Sequence, residues 1–256
     1  SIQDGAHNTL LGYDAGGGLS SAASSVMIGS FAGRAVTTGG GNVAVGYASL
    51  FTQGSNGSYS TAVGYKALED QNISSQSHNV AVGFYAGREI TSGNENTIIG
   101  SEAGDALTSG AQNVVVGRGA LGSEDTTGKV VAIGYAALNA QNAASDSYNV
   151  AVGYNAGLAV STGTNNTLIG GLAGDALTTG GDNVALGRSA LSTEIQGSRN
   201  VAIGFEALKD LNTDSASYNI AVGYHAGTNI TTGLENTIIG GLAGDAITTA
   251  LGNTAV

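Results

Sequence analysis

The chain has 256 residues, of which 43 are glycine and only 11% are charged, and it contains no proline, cysteine or tryptophan. This composition is unlike that of a mixed helical domain, and a hydrophobic content of 41% is too high for a disordered Gly/Ser linker. Eight Lys and Arg residues against a net charge of −11 exclude a nucleic-acid surface, and no apolar stretch has the length of a membrane span.

A short motif recurs along the whole chain. Each copy has an apolar run that ends in glycine, and successive glycines of this kind lie 17 to 19 residues apart. Four copies form a 70-residue superperiod, which is visible in "NVAVGFYAG", "NVAVGYNAG" and "NIAVGYHAG". Repeats of this length predict a solenoid in which residues 1–256 form a single repeat domain.

The first half of each copy is typical of a β-strand, because it is short, β-branched and ended by glycine. The second half, as in "DALTTG", leaves room for another short strand before a turn rich in Gly and Asn. The glycine content and the lack of a 3.6-residue period argue against helices. We therefore predict an all-β parallel β-solenoid with about 14 coils of 17 to 19 residues.

An asparagine precedes the apolar run in most copies. Stacked in register, these side-chain amides are expected to bond to one another along the solenoid axis, as in cross-β ladders. The glycine that follows the run predicts a sharp corner or a close backbone approach. The predicted ladder comprises Asn79, Asn96, Asn113, Asn149, Asn166, Asn183, Asn200, Asn219 and Asn236.

The strand itself is apolar on both faces. Val150 and Val152 face one way and Ala151 the other, and the same pattern holds in the other copies. A strand that is apolar on both sides is expected to be buried on both sides, but one coil has a single interior. We therefore predict that the middle column packs against other copies of the chain in a homotrimer, and that Leu168→Asp disrupts assembly.

The unit "NVAVGYNAG", followed by "TG" and "N", resembles the head repeats of YadA-type trimeric autotransporter adhesins and the repeats of phage tail fibres. The resemblance covers nearly the whole chain, although the repeat here is longer than the adhesin unit. It implies a left-handed β-roll that assembles as a homotrimer. It also implies an extracellular shaft or head, on a bacterial cell surface or a virion tail, that attaches to a cell-surface glycan or protein receptor.

The residue after each corner glycine forms a second column. It brings arginines and aromatic residues together on consecutive coils, where cation–π and ring stacking are expected. Such a column is either a stabilising ladder or a strip that binds glycans. The residues of this candidate strip are Arg118, Tyr135, Tyr154, Arg188, Phe205 and Tyr224.

No catalytic or cofactor site is expected. The three histidines occupy columns that tolerate Tyr, Asp or Asn elsewhere, and no serine stands out as a nucleophile. The segment "GSEDTTGKV" approaches the phosphate-loop pattern, but its glycines are one residue too far apart. Asp105, Asp175 and Asp245 recur every fourth coil, too far apart to share a metal ion within one chain, and we expect them in solvated turns.

Three further functions stay open beside the attachment fibre. Blocks of this chain are candidates for end-to-end assembly into an extracellular filament, because the chain begins and ends part-way through a coil and is expected to be a segment of a longer fibrous protein. Paired residues such as Thr178 and Thr179 raise the less favoured alternative of ice binding. A glycan-hydrolysing solenoid is the least favoured, because no acid, base and nucleophile cluster is evident.

Overall fold

The computed structural model describes residues 6–52 and 57–256, and these residues contain short strands and turns but no helix. The chain divides into two compact units, one ending at Lys129 and the other beginning at Val130. Each unit is a parallel β-solenoid, which confirms the prediction of an all-β parallel solenoid, and the chain has about 14 turns.

The first unit contains seven three-residue strands, one per coil. They are β1 (Thr9–Leu11), β2 (Val26–Ile28), β3 (Val43–Val45), β4 (Thr61–Val63), β5 (Val80–Val82), β6 (Thr97–Ile99) and β7 (Val114–Val116). Each pairs with the next in parallel and in register, so that equivalent positions of successive repeats stack directly.

The second unit continues the pattern with eight strands. They are β8 (Val131–Ile133), β9 (Val150–Val152), β10 (Thr167–Ile169), β11 (Val184–Leu186), β12 (Val201–Ile203), β13 (Ile220–Val222), β14 (Thr237–Ile239) and β15 (Thr254–Ala255). Their pairing is also parallel and in register.

The middle residue of nearly every strand points into the core of its own coil. From β2 to β14 this residue is fully buried, whereas the first and third residues are half-buried or exposed. The buried residues are Met27, Ala44, Ala62, Ala81, Ile98, Val115, Ala132, Ala151, Leu168, Ala185, Ala202, Ala221 and Ile238.

This burial corrects one prediction. The middle column does not face other chains, because the coil closes over it. The unpartnered face is the opposite one, formed by the first and third residues of each strand. Leu168→Asp would therefore place a charge in the core of one chain, where it destabilises the fold, and it is not a selective probe of assembly.

The second half of the repeat forms turns instead of a second strand. In one representative coil, Asn155 and Gly157 have φ values of 53° and 60°, in the left-handed region. Alternating left-handed residues cannot extend a strand, so in the described repeats turns take the place that the sequence left open for a second strand. These turns still stack, since Gly157 donates its N–H to the carbonyl of Ala173, one coil further along, at 2.9 Å.

Candidate functional site

The corner glycines position the predicted aromatic strip. In the second unit, Tyr135 stacks on Tyr154 with ring centroids 5.4 Å apart and planes 12° from parallel, and Phe205 stacks on Tyr224 with the same geometry. Arg188 lies over Phe205, its guanidinium carbon 5.4 Å from the ring centroid. In-register pairing of the strands produces this stacking, because it places equivalent side chains one strand spacing apart.

The first unit carries a longer stack that the prediction omitted. Tyr47, Tyr65 and Phe84 follow their corner glycines in the same column, and their centroids are 5.2 and 5.5 Å apart. Each of these rings is more than 40% exposed. The signal for them was present in the sequence, since the column needs only to be followed back to Gly46.

Stacking changes what the strip can present to a ligand. Rings that lie face to face at this spacing cover each other, so an inner ring such as Tyr65 presents mainly its edge. A sugar that packs on an aromatic ring needs an open face. The free faces are therefore expected at the ends of the stacks, where the next coil carries a small residue, as Gly171 does after Tyr154.

The arginines of the strip differ in their partners. Arg118 lies 3.8 Å from a carboxylate oxygen of Glu102, and it is strongly exposed. Outside the strip, the arginines Arg34, Arg88 and Arg199 each pair with a carboxylate. Among the described residues no carboxylate oxygen lies within 4.0 Å of the Arg188 guanidinium.

The asparagine column is buried and bonds chiefly to the backbone. The Asn96 N–H donates to Oδ1 of Asn79 at 2.9 Å, and Nδ2 of Asn96 donates to the carbonyl of Gly110 at 3.0 Å. In the second unit the predicted bonds between side-chain amides also occur, for example from Nδ2 of Asn236 to Oδ1 of Asn219 at 3.0 Å. Each asparagine thus satisfies polar groups at a buried corner.

Two buried glutamates have no counterpart in the predicted sites. In the second unit, Oε1 of Glu194 accepts hydrogen bonds from the N–H groups of Ile195, Gly197 and Thr213, and Oε2 accepts from Oγ1 of Thr213 at 3.1 Å. The side chain is fully buried. It acts as an internal cap for turn N–H groups that would otherwise lack partners.

The second of these glutamates lies in the segment whose sequence approaches the phosphate-loop pattern. Glu124 of "GSEDTTGKV" is fully buried in the first unit, and its Oε1 accepts from the N–H groups of Thr126 and Thr127 at 3.2 and 2.9 Å. A carboxylate of the chain itself thus occupies the turn amides. The 70-residue spacing of Glu124 and Glu194 was the available signal in the sequence.

The recurring aspartates lie at different depths. Burial raises the pKa of Asp105 and of Asp175 above the ordinary carboxyl value, and a backbone hydrogen bond partly offsets the effect in each. Oδ1 of Asp175 is buried and accepts no hydrogen bond, whereas Asp245 is exposed. The described part of the chain contains no group of three side chains that could hold a metal ion.

Asp175→Asn is expected to stabilise the fold near pH 7 by less than about 1 kcal/mol. Because the pKa of Asp175 is raised in the folded state, ionisation weakens the fold as the pH rises from the unfolded pKa to the folded pKa. The gain should disappear at pH values below the ordinary carboxyl pKa, where both states hold the proton. Urea unfolding at pH 7 and pH 3 measures this difference, with Asp245→Asn as the exposed control. Destabilisation of the Asp175 variant at pH 7 would contradict the account.

In several of the threonine pairs the first hydroxyl bonds to the neighbouring coil. Oγ1 of Thr108 donates to the carbonyl of Asp125 at 2.7 Å, and Oγ1 of Thr178 donates to the carbonyl of Ile195 at 2.9 Å. These hydroxyls bond to the next coil, so they stabilise the stacking of turns. This use weakens the case for ice binding.

Histidines occur in the ring contacts of the turns. His78 stacks on Tyr59 with centroids 5.4 Å apart and planes 6° from parallel. His225 packs edge-on against Tyr224, and its Nδ1 lies 3.6 Å from a carboxylate oxygen of Glu206. These contacts give both side chains a packing role.

Comparisons of the chain with protein-family models, with curated proteins and with solved structures give no match. The resemblance to adhesin heads and tail fibres therefore stays a prediction. Among the described residues there is no helix long and apolar enough to cross a membrane.

Proposed function

We propose that the chain is a non-catalytic structural module of an extracellular fibre, a shaft or head that assembles as a homotrimer of left-handed β-rolls and mediates attachment to a surface. The observation that carries this proposal is the unpartnered outer face of the strands. Because the sequence repeats every four coils, each chain presents a recurring series of residues along this face.

The outer face is mostly apolar and contains no charged residue. It consists of the first and third residues of each strand, which are Val, Ile, Leu or Thr. Among them Ile99, Leu186, Ile220 and Ile239 are 40 to 43% exposed. In the second unit the eight strands give a strip about 38 Å by 10 Å, roughly 400 Å². The largest apolar patch of a monomeric protein is typically of this size and is often functional.

The periodicity of this face favours another copy of the same chain as its partner. Its ridges recur at the strand spacing of about 4.8 Å, and a second surface fits along the whole strip only if it has the same spacing. Identical chains have the same strand spacing, so they meet that condition. Most soluble oligomers are also symmetric assemblies of identical chains. Three copies, as the adhesin resemblance implies, would bury the face around a common axis.

A module built from copies of one coil suits length, stiffness and repeated display better than catalysis. Residues that could act as acid, base or nucleophile recur in several coils or are replaced in equivalent ones. No one set of them stands out as a catalytic site. Three chains would present each surface column three times around the axis. Weak contacts to a receptor would then gain from effective concentration.

Ile220→Lys is expected to shift the chain from trimer to monomer without loss of its β-sheet signal. The lysine would project from the outer face at β13, where association would bury its charge. The matched control is Leu242→Lys, since Leu242 is 55% exposed but lies outside the strands. Light scattering gives the mass and circular dichroism the fold. A trimer that withstands Ile220→Lys would exclude this face as the interface.

A further inference from the structure

The aromatic strip of the second unit is interrupted by one glycine. Tyr154, Gly171 and Arg188 occupy the same column on the consecutive coils of β9, β10 and β11. Two strand spacings separate the flanking side chains by about 9.6 Å, which leaves room for one planar ring between them. A Cβ added at Gly171 would meet only the carbonyl oxygen of Tyr154, at 3.9 Å, so the middle position is open.

Both walls of this slot are held from behind. Tyr154 has Tyr135 stacked on its far side, and Arg188 has Phe205 on its far side. The ring of Tyr154 therefore presents its remaining face to the open coil, and the guanidinium of Arg188 borders the opposite side of the gap. Tyr154 is 58% exposed, which makes its free face accessible from solvent.

The positive charge in the slot, that of Arg188, has no carboxylate partner among the described residues. Arg188 has no carboxylate oxygen within 4.0 Å among the described residues, whereas the arginines Arg34, Arg88, Arg118 and Arg199 each have one. In a chain with a net charge of −11, an unpaired and exposed guanidinium beside an open aromatic face is selective for an anion that also has an apolar surface.

We propose that Tyr154, Gly171 and Arg188 form a binding slot for a sugar acid, a pyranose ring that carries a carboxylate, within an acidic glycan. The C–H face of the pyranose packs on the ring of Tyr154, and its carboxylate accepts hydrogen bonds from Arg188. This inference supplies a ligand class for the attachment role proposed above. Binding itself needs one chain and does not depend on trimer formation.

Related positions show why this coil is selected. In the first unit the corresponding column runs Phe84, Ser101, Arg118, so a side chain stands in the gap and the arginine is already paired with Glu102. Gly241 follows Tyr224 in the same column and is equally open, and none of the described arginines lies across it. Only the coil of Gly171 combines an open ring face with an unpaired arginine in the described column.

The test compares methyl β-D-glucuronide, methyl β-D-glucoside and benzoate by saturation-transfer NMR and calorimetry on the intact chain. The glucuronide is expected to bind at least about tenfold more tightly than the neutral glucoside, because only the glucuronide supplies a charged partner for Arg188. Arg188→Gln and Gly171→Phe should each weaken glucuronide binding about tenfold or more. Gly171 tolerates a side chain, since its φ is not positive and the space beside it is open.

Gly241→Phe is the matched control, because it fills an equally open position across which none of the described arginines lies, and its binding should stay within about twofold of the parent chain. Circular dichroism confirms that each variant is folded. Equal binding of glucuronide and glucoside, or full binding by folded Gly171→Phe, would overturn the slot. Binding of benzoate without the glucuronide would overturn the assignment to a sugar acid. A monomeric chain that binds the glucuronide would separate this inference from the trimer proposal.

Discussion

Gly187→Ala is expected to destabilise the solenoid by about 3 kcal/mol or more. Gly187 directly follows strand β11 and has a φ of 143°, a conformation that is costly for any residue with a Cβ. A Cβ at this position would also overlap the carbonyl oxygen of Gly204 on the next coil. Because the obstacle is backbone and lies on the strand ladder, the neighbouring coil cannot move aside without losing its register.

The matched control is Gly171→Ala, one coil earlier and one residue beyond its own corner. That position has no positive φ and open space around the added carbon, so alanine should change stability by less than about 0.5 kcal/mol. Urea unfolding followed by circular dichroism compares the two variants. Equal stability of Gly187→Ala and Gly171→Ala would show that the corner does not need glycine.

Glu194→Ala is expected to cost about 3 kcal/mol or more, because it leaves several turn N–H groups without an acceptor. The carboxylate of Glu194 is fully buried and accepts from the amides of Gly197 and Thr213. The loss should appear as a lower midpoint of chemical unfolding.

Glu194→Gln separates the loss of the acceptor from the loss of the side chain. The amide keeps one acceptor oxygen for the backbone N–H groups, and its NH₂ group can donate to Oγ1 of Thr213. Its cost should therefore be well below that of the alanine variant. If Glu194→Ala proves as stable as the parent chain, the glutamate is not the internal cap described above.

The repeat made much of the fold predictable. A strand of three residues, a corner glycine and in-register stacking follow from the recurrence of the same letters every 17 to 19 residues. Stacking also predicted the pairing of Tyr135 with Tyr154, because equal positions on adjacent coils must be neighbours in such a ladder.

The inside and outside of the strand could not be assigned in the same way. Ala151 and its neighbours Val150 and Val152 are all apolar, so hydrophobicity does not distinguish the two faces. The closure of the coil decides the matter, and that closure depends on left-handed residues such as Asn155 in the turns. Asparagine adopts this conformation more readily than most residues. Tyr85 and Glu206 also adopt it in equivalent turns, and their residue types do not predict it.

The candidate site was predictable only in part. The column of Arg188 and Phe205 was evident, but the direction in which rings face depends on stacking geometry. The open slot arises from the absence of a side chain at Gly171, and a glycine in a glycine-rich repeat gives no distinctive signal. The burial of Glu194 was hidden for a related reason, since one of its partners, Thr213, comes from the turn of the next coil.

Sedimentation equilibrium of the unmodified chain at micromolar concentration tests the central claim most directly. The account predicts a species of three times the 25.0 kDa chain mass, because the apolar outer face of the strands needs copies of itself as cover. A folded, soluble species of 25.0 kDa over the whole concentration range would contradict it.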